Sequence, residues 1–102
     1  MRRGSTSCTT LTVPESLDLT AAKTVYITFA QGSRLLTKKT GDPGVSMEAH
    51  TVRITMTQEE TLSFATGPVE IQLRWLMPDG TADGTEVARV YNKGVLLAEV
   101  IT

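Results

Sequence analysis

Two side chains in this sequence have the chemistry of a nucleophile and its base, namely Cys8 and His50. A thiol becomes nucleophilic when a neighbouring base lowers its pKa, and His50 is the only histidine that could serve. Nothing in the sequence pairs the two residues, and His50 has no second histidine or further cysteine with which to share a metal ion. We therefore expect no catalysis and no metal at either residue, and we expect Cys8 to be a small, half-buried strand residue.

The acidic side chains form two short groupings. Glu59 and Glu60 are adjacent, and neighbours in a helical turn point about 100° apart, so they do not face one substrate as acid and base must. Asp79 and Asp83 stand among glycines, but the other oxygen ligands of a calcium loop are missing. The same stretch, 78–85, lacks the lysine and the following helix of a phosphate-binding loop. The sequence thus predicts a protein without catalytic residues, cofactor or metal.

The composition is that of one globular domain without a strong charge. The chain has 102 residues, 40% of them hydrophobic, and its ten basic and eleven acidic side chains leave a net charge of −1. This length predicts a single core, and the charge balance gives no basic footprint for nucleic acid. The longest apolar stretches fall far short of the roughly 20 residues of a membrane-spanning helix. We expect no nucleic-acid or membrane partner, and the lone cysteine fits a reducing cytoplasm.

Alternating apolar residues predict short strands along most of the chain. Seventeen threonines favour the pleated surface of a sheet over a helix. The clearest run is 69–77, where Glu70, Gln72 and Arg74 share the polar face and the apolar residues, Trp75 among them, share the other. Trp75 is interpreted as a core residue, with an interface anchor as the alternative. Together with weaker alternation elsewhere, this predicts seven or eight strands in a single antiparallel β-sandwich.

Turn residues and chain ends set the expected limits of this sandwich. The runs 41–44 and 78–80 combine Asp, Pro and Gly, which predicts hairpins there. The sheet is expected to start at 11–13 and to finish with strands at 85–91 and 94–101, although the run of apolar residues at 95–97 interrupts the alternation.

Residues 57–64 have a helical pattern instead. Thr57 and Glu60 have the spacing of a capping box, and negative charge at Glu59 and Glu60 suits the positive end of a helical turn. One short helical turn is predicted here, with Leu62 and Phe64 filling the sandwich.

The first ten residues are treated separately from the domain at 11–102. Apart from Met1 they include no large apolar side chain, so alone they bury too little surface to offset the entropy cost of ordering. They are interpreted either as a frayed terminus or edge strand, or as an arm that orders on a neighbouring subunit.

Several phrases, taken together, resemble a family of small proteins encoded by tailed bacteriophages and prophages of gut Firmicutes. Residues 3–6, RGST, resemble the family's Arg-Gly-Thr-Thr opening, and VYITFAQG at 25–32 resembles an early strand that ends in a glutamine, with LTK at 36–38 following. Three further stretches resemble the family's central signature in order and spacing. They are TQEETLSF at 57–64, VEIQLR at 69–74 and DG at 79–80.

The resemblance implies a non-enzymatic virion component near the tail tip or baseplate. It also implies an all-β fold, an immunoglobulin-like sandwich of the kind found as a baseplate N-terminal domain. Such a protein is assembled in the bacterial host cytoplasm and binds other virion proteins and further copies of itself. The residues we expect at interfaces are Arg2, Arg3, Gly4, Gln31, Glu70, Gln72 and Arg74.

Two alternatives stay open on the sequence. A capsid decoration protein would keep the fold and the assembly role but bind the head. A carbohydrate- or host-surface-binding module would present aromatic faces to a glycan, and Tyr26 and Tyr91 are the candidates outside the core.

Overall fold

Two antiparallel sheets face each other, with one short helix at one end. The computed structural model describes all 102 residues. The small sheet has the order β1-β5-β4; the large sheet has the order β3-β2-β6, with β7 and β8 both on the far side of β6. The strands are β1 Cys8–Thr12, β2 Thr24–Gln31, β3 Arg34–Lys39, β4 Val45–Met47, β5 Thr51–Thr55, β6 Gly67–Leu76, β7 Ala82–Gly84 and β8 Ala88–Asn92; helix α1 is Gln58–Ser63, and Leu19–Ala21 is a 3-10 turn. The predicted all-β sandwich is confirmed.

The core lies between the two sheets and consists of the apolar rows that the alternation predicts. Strands β2 and β6 contribute most of it, and their register places Ile27 opposite Leu73 and Phe29 opposite Ile71. Phe64, directly after α1, is fully buried, whereas Leu62 is only partly buried, so Phe64 fills this end of the sandwich. The twelve buried apolar residues are Val13, Leu19, Val25, Ile27, Phe29, Val52, Ile54, Met56, Phe64, Val69, Ile71 and Leu73.

The turns divide into those that close hairpins and one that changes sheets. Residues 78–80 connect β6 to its neighbour β7, as predicted. The turn at 41–44 is not a hairpin, because β3 belongs to the large sheet and β4 to the small one. Gly44 in this crossing has φ +82°, and a Cβ there would lie 2.6 Å from the carbonyl oxygen of Thr55, so the crossing requires glycine.

The two chain ends differ from the expected limits. β1 begins at Cys8 and not at Leu11, because the carbonyl of Ser7 already accepts a hydrogen bond from the Met56 N–H at 2.9 Å. Residues 94–101 form no strand. Their backbone makes no hydrogen bond to any other backbone group, so the strand pattern there finds no partner within the chain.

Helix α1 begins with the predicted capping box, which also joins the two sheets. The Glu60 N–H donates to Thr57 Oγ1 at 3.1 Å, and the Thr57 N–H donates to Glu60 Oε1 at 2.8 Å. Lys38 extends inward from β3, 8% exposed, and its Nζ donates to Glu60 Oε1 at 2.9 Å and to the Thr55 carbonyl at 3.4 Å. One ammonium group therefore connects the large sheet to α1 and to the end of β5.

This contact sets the ionisation of Glu60. Partial burial by itself raises the pKa of the Glu60 carboxyl, but hydrogen bonds from Lys38 and from the Thr57 N–H outweigh it and lower the pKa below its ordinary value. A carboxyl group with a lowered folded-state pKa adds stability above its unfolded-state pKa, and that contribution is lost as the pH falls through the folded-state value. The Glu60 contribution is therefore complete at neutral pH and disappears in acid.

We predict that Glu60→Gln lowers the free energy of unfolding by about 2 kcal/mol at pH 7, between the value of a surface ion pair and that of a fully buried one. Urea unfolding from pH 7 to pH 3 checks this. The difference between wild type and variant should shrink below pH 4.5, the ordinary pKa of the group. Glu59→Gln, one residue away on the exposed side, is the matched control and should change stability by less than about 0.5 kcal/mol. Equal effects of the two substitutions would contradict the assignment.

Candidate protein-interaction site

The arm residues expected at an interface bind their own chain. The Arg3 guanidinium donates to the carbonyls of Phe64 at 2.8 Å and Leu62 at 3.0 Å, at the end of α1. Arg2 Nη1 donates to the Gly94 carbonyl at 2.7 Å, and its backbone forms a parallel bridge with Lys93. Gly4 occupies a left-handed position with φ +77°. Residues 1–4 therefore lie beside the end of β8 in the same molecule.

The two glutamines expected at an interface, Gln31 and Gln72, also form hydrogen bonds within the chain. The Gln31 side chain pairs with Ala65, accepting from its N–H at 2.7 Å and donating to its carbonyl at 2.9 Å. Gln72 Nε2 donates to the Thr85 carbonyl at 2.8 Å. Both glutamine side chains therefore bond the backbone of a nearby connecting segment, although their alternating positions on the strands are those of solvent-facing residues.

The end of α1 is where these contacts converge. A helix leaves its last carbonyls without intrahelical partners, and here side chains from other elements supply them: Arg3 from the arm and Asn92 from β8. Asn92 is fully buried, and its Nδ2 donates to the carbonyls of Thr61, Phe64 and Ala65 at 3.2–3.3 Å. Sequence reasoning did not identify Asn92, since an asparagine beside Lys93-Gly94 is typical of a turn.

Glu70 and Arg74 are the two expected residues that do lie free on the outer face of the large sheet. Both are exposed, and the register puts Arg74 beside Tyr26. A shallow hollow of about 440 Å³ lies there, with Thr28 and Thr37 as its polar lining. Tyr26 is 41% exposed and Tyr91 58%, so both aromatic candidates are accessible on this face.

A larger hollow, which the sequence did not reveal, lies where the sandwich stays open. β7 and β8 pair with different parts of β6, and between them only Thr85 reaches it, donating its N–H to the Leu73 carbonyl at 2.9 Å. The opening faces β1 and holds a groove of about 620 Å³, which we call the β1 groove. Its apolar lining is Leu11, Val13, Leu17, Ile71, Leu73, Trp75 and Ala88. Trp75 is half-buried and packs against the core from the groove side.

A second apolar surface is the segment 95–101. Leu96 is entirely exposed, and Leu97, Val100 and Ile101 are also exposed. The Gln58 side chain holds the far end of the segment, accepting from the Ile101 N–H at 2.8 Å and donating to its carbonyl at 3.2 Å. Contiguous apolar residues on the surface of a protein are typical of a protein contact.

Cys8 and His50 are not brought together. Cys8 is exposed and not half-buried, because it points to the outer face of the small sheet at the Thr55 end of β5. His50 precedes the other end of β5, and its Nδ1 lies 2.7 Å from the Leu17 carbonyl. No group of three or more His, Cys, Asp and Glu side chains is placed to hold a metal ion. None of the helices has the length and apolar character to cross a membrane.

Comparison of the chain with models of protein families, with curated proteins and with solved structures gives no match.

We predict that Gln31→Ala lowers the free energy of unfolding by about 1–2 kcal/mol, because two hydrogen bonds to Ala65 are lost. Glu70→Ala, on the same sheet but without a bonded partner, should change it by less than about 0.5 kcal/mol. Chemical denaturation of the two variants measures the difference. A neutral Gln31→Ala would mean that the side chain is free for a partner after all.

Proposed function

We propose that this protein is a non-enzymatic structural component of a tailed phage or prophage virion, located at the tail tip or baseplate and acting through protein–protein interfaces. The observation that carries the proposal is the coexistence of two unpartnered apolar surfaces, the β1 groove and the segment 95–101, on one small domain. Exposed apolar surfaces of this kind mark protein–protein contacts, and a structural protein that works by repetition acts through such contacts.

The position of the family-like phrases in the fold supports this proposal. TQEETLSF becomes the capped helix α1 with its threonine cap and buried Phe64, and VEIQLR becomes the middle of β6, the strand to which β2, β7 and β8 all pair. The resemblance therefore falls on the residues that determine the framework. Of the two proposed interaction surfaces, the segment 95–101 lies outside those phrases, whereas the β1 groove includes Ile71 and Leu73 of VEIQLR.

A second candidate function is supported by the outer face of the large sheet. Tyr26 beside Arg74, with the hydroxyls of Thr28 and Thr37 next to them, combines an aromatic face with hydrogen-bonding groups, as in sugar-binding sites. A tail-tip position would suit contact with a host-surface carbohydrate. This function is compatible with the structural role, because the Tyr26 hollow and the β1 groove share only Trp75.

We predict that the chain travels with virus particles. Particles induced from the bacterium that encodes it, purified on a density gradient and probed with an antibody to the protein, should carry it at a constant ratio to the major tail protein. Gold-labelled antibody should mark the distal end of the tail. Label on the head would favour a capsid decoration protein instead, and protein found only among unassembled material would contradict the virion role.

We predict further that, if the outer face binds a glycan, Tyr26→Ala removes binding to host cell-wall carbohydrate while Tyr91→Ala, farther along the face, leaves most of it. A sedimentation assay with isolated cell walls measures the bound fraction. The loss expected from one aromatic stacking contact is about tenfold in affinity. Absence of binding by the wild type would remove the carbohydrate function and leave the structural one untouched.

A further inference from the structure

We propose that the segment 95–101 of one copy binds to β1 of a second copy as an added antiparallel strand and covers the β1 groove. This inference rests on the proposed assembly role and names the partner: another copy of the same chain. Peptide recognition by strand addition needs a free strand edge, an adjacent apolar pocket and an extended apolar segment. The molecule presents the edge and the groove, and 95–101 is an apolar segment without backbone partners that would become extended on binding.

The free edge belongs to β1. At its two ends the Ser7 carbonyl accepts from the Met56 N–H, and the Val13 N–H donates to the His50 carbonyl, both at 2.9 Å. Because hydrogen bonding alternates along an antiparallel pair, the N–H and C=O groups of Cys8, Thr10 and Thr12 point away from β5. β1 is the last strand of the small sheet, so these groups meet no other strand.

The segment provides matching groups. Its backbone makes no hydrogen bond to another backbone group. The side-chain amide of Gln58 bonds both the N–H and the C=O of Ile101, as a residue of a neighbouring strand would. In an extended conformation Leu96, Ala98 and Val100 share one face. That face is entirely apolar. Leu96, opposite Leu11, would enter the groove, while Ala98 and Val100 would lie opposite Thr9 and Ser7 along β1 and Glu99 would point outward with Cys8.

Charge complementarity fixes the direction of the added strand. Asp83 and Glu86 line the groove, and Glu15 follows β1 at the same end. An antiparallel strand with Val95 opposite Thr12 brings the exposed Lys93 of the incoming copy to this acidic rim. At the other end Glu99 joins an outer face whose single charged strand residue is Arg53. A parallel strand would reverse both contacts.

The geometry favours contact between copies over contact within one. Gly94 is held by Arg2 beside α1, and the segment passes Gln58 at the same end of the molecule. The groove lies at the opposite end of β1, beside Leu11, Leu17 and Trp75. Two different surfaces that bind each other join copies head to tail, which produces rings or filaments.

Disulfide trapping tests this arrangement, because Cys8 is the only native cysteine and lies exposed on the proposed interface. The register puts Glu99 directly opposite Cys8, so Glu99→Cys under mild oxidation should give a ladder of disulfide-linked oligomers longer than dimers. Val95→Cys is the matched control, because its thiol would lie about 13 Å further along the strand, beyond the reach of a disulfide. We expect at least about tenfold more ladder from Glu99→Cys than from Val95→Cys.

A second set of substitutions tests the apolar face. Leu96→Asp combined with Val100→Asp, in the Glu99→Cys background, should abolish the ladder; both residues are exposed, so the fold should be kept, as circular dichroism would show. Equal ladders from the two cysteine variants, a disulfide closed within one chain, or monomers throughout would each overturn the inference. Particles that carry the chain although no ladder forms would overturn it while leaving the proposed function in place.

Discussion

A six-residue helix cannot satisfy its own backbone, and in this protein much of the fold is organised around supplying what α1 lacks. At its start, Thr57 and Glu60 bond each other's N–H groups, and Lys38 adds a charge from the large sheet. At its end, Arg3 and Asn92 donate to the free carbonyls. The arm, β3 and β8 are therefore held together at one end of the sandwich, through a helix that would not persist alone.

The opposite end of the sandwich has no comparable helix, and the β1 groove, one of the two proposed interaction surfaces, lies there. β6 is long enough to pair with two short strands, β7 and β8. The connection between them bonds the β6 backbone through Thr85, and a groove remains toward β1 in which Trp75 is half-buried. A strand added along the free edge of β1 would cover the β1 groove. The apolar segment 95–101 is the strand that we propose for this position, but in its own molecule Gln58 binds it at the end of the sandwich that is remote from the groove.

The parts of the fold that local chemistry determines were predictable from the sequence. Alternation located the core strands, and the Thr57–Glu60 spacing located the helix. Pairing between distant segments was not predictable: the turn at 41–44 shows turn chemistry but not that β3 and β4 enter different sheets. For the same reason Arg3 and Gln31 were expected at an interface, since their partners at residues 62–65 are remote in sequence. The β1 groove is lined by three separate stretches of the chain, 11–17, 71–75 and 83–88, so no single sequence pattern indicates it.

We propose that β1 and the segment 95–101 of two copies pair with each other. Amide hydrogen exchange of the wild-type protein, measured at low and at high protein concentration, tests this pairing. The N–H groups of Cys8, Thr10 and Thr12 and those of 95–101 should gain protection together as the concentration rises, while the edge strand β4 does not change. Exchange that is independent of concentration, or protection of β4 alone, would contradict it.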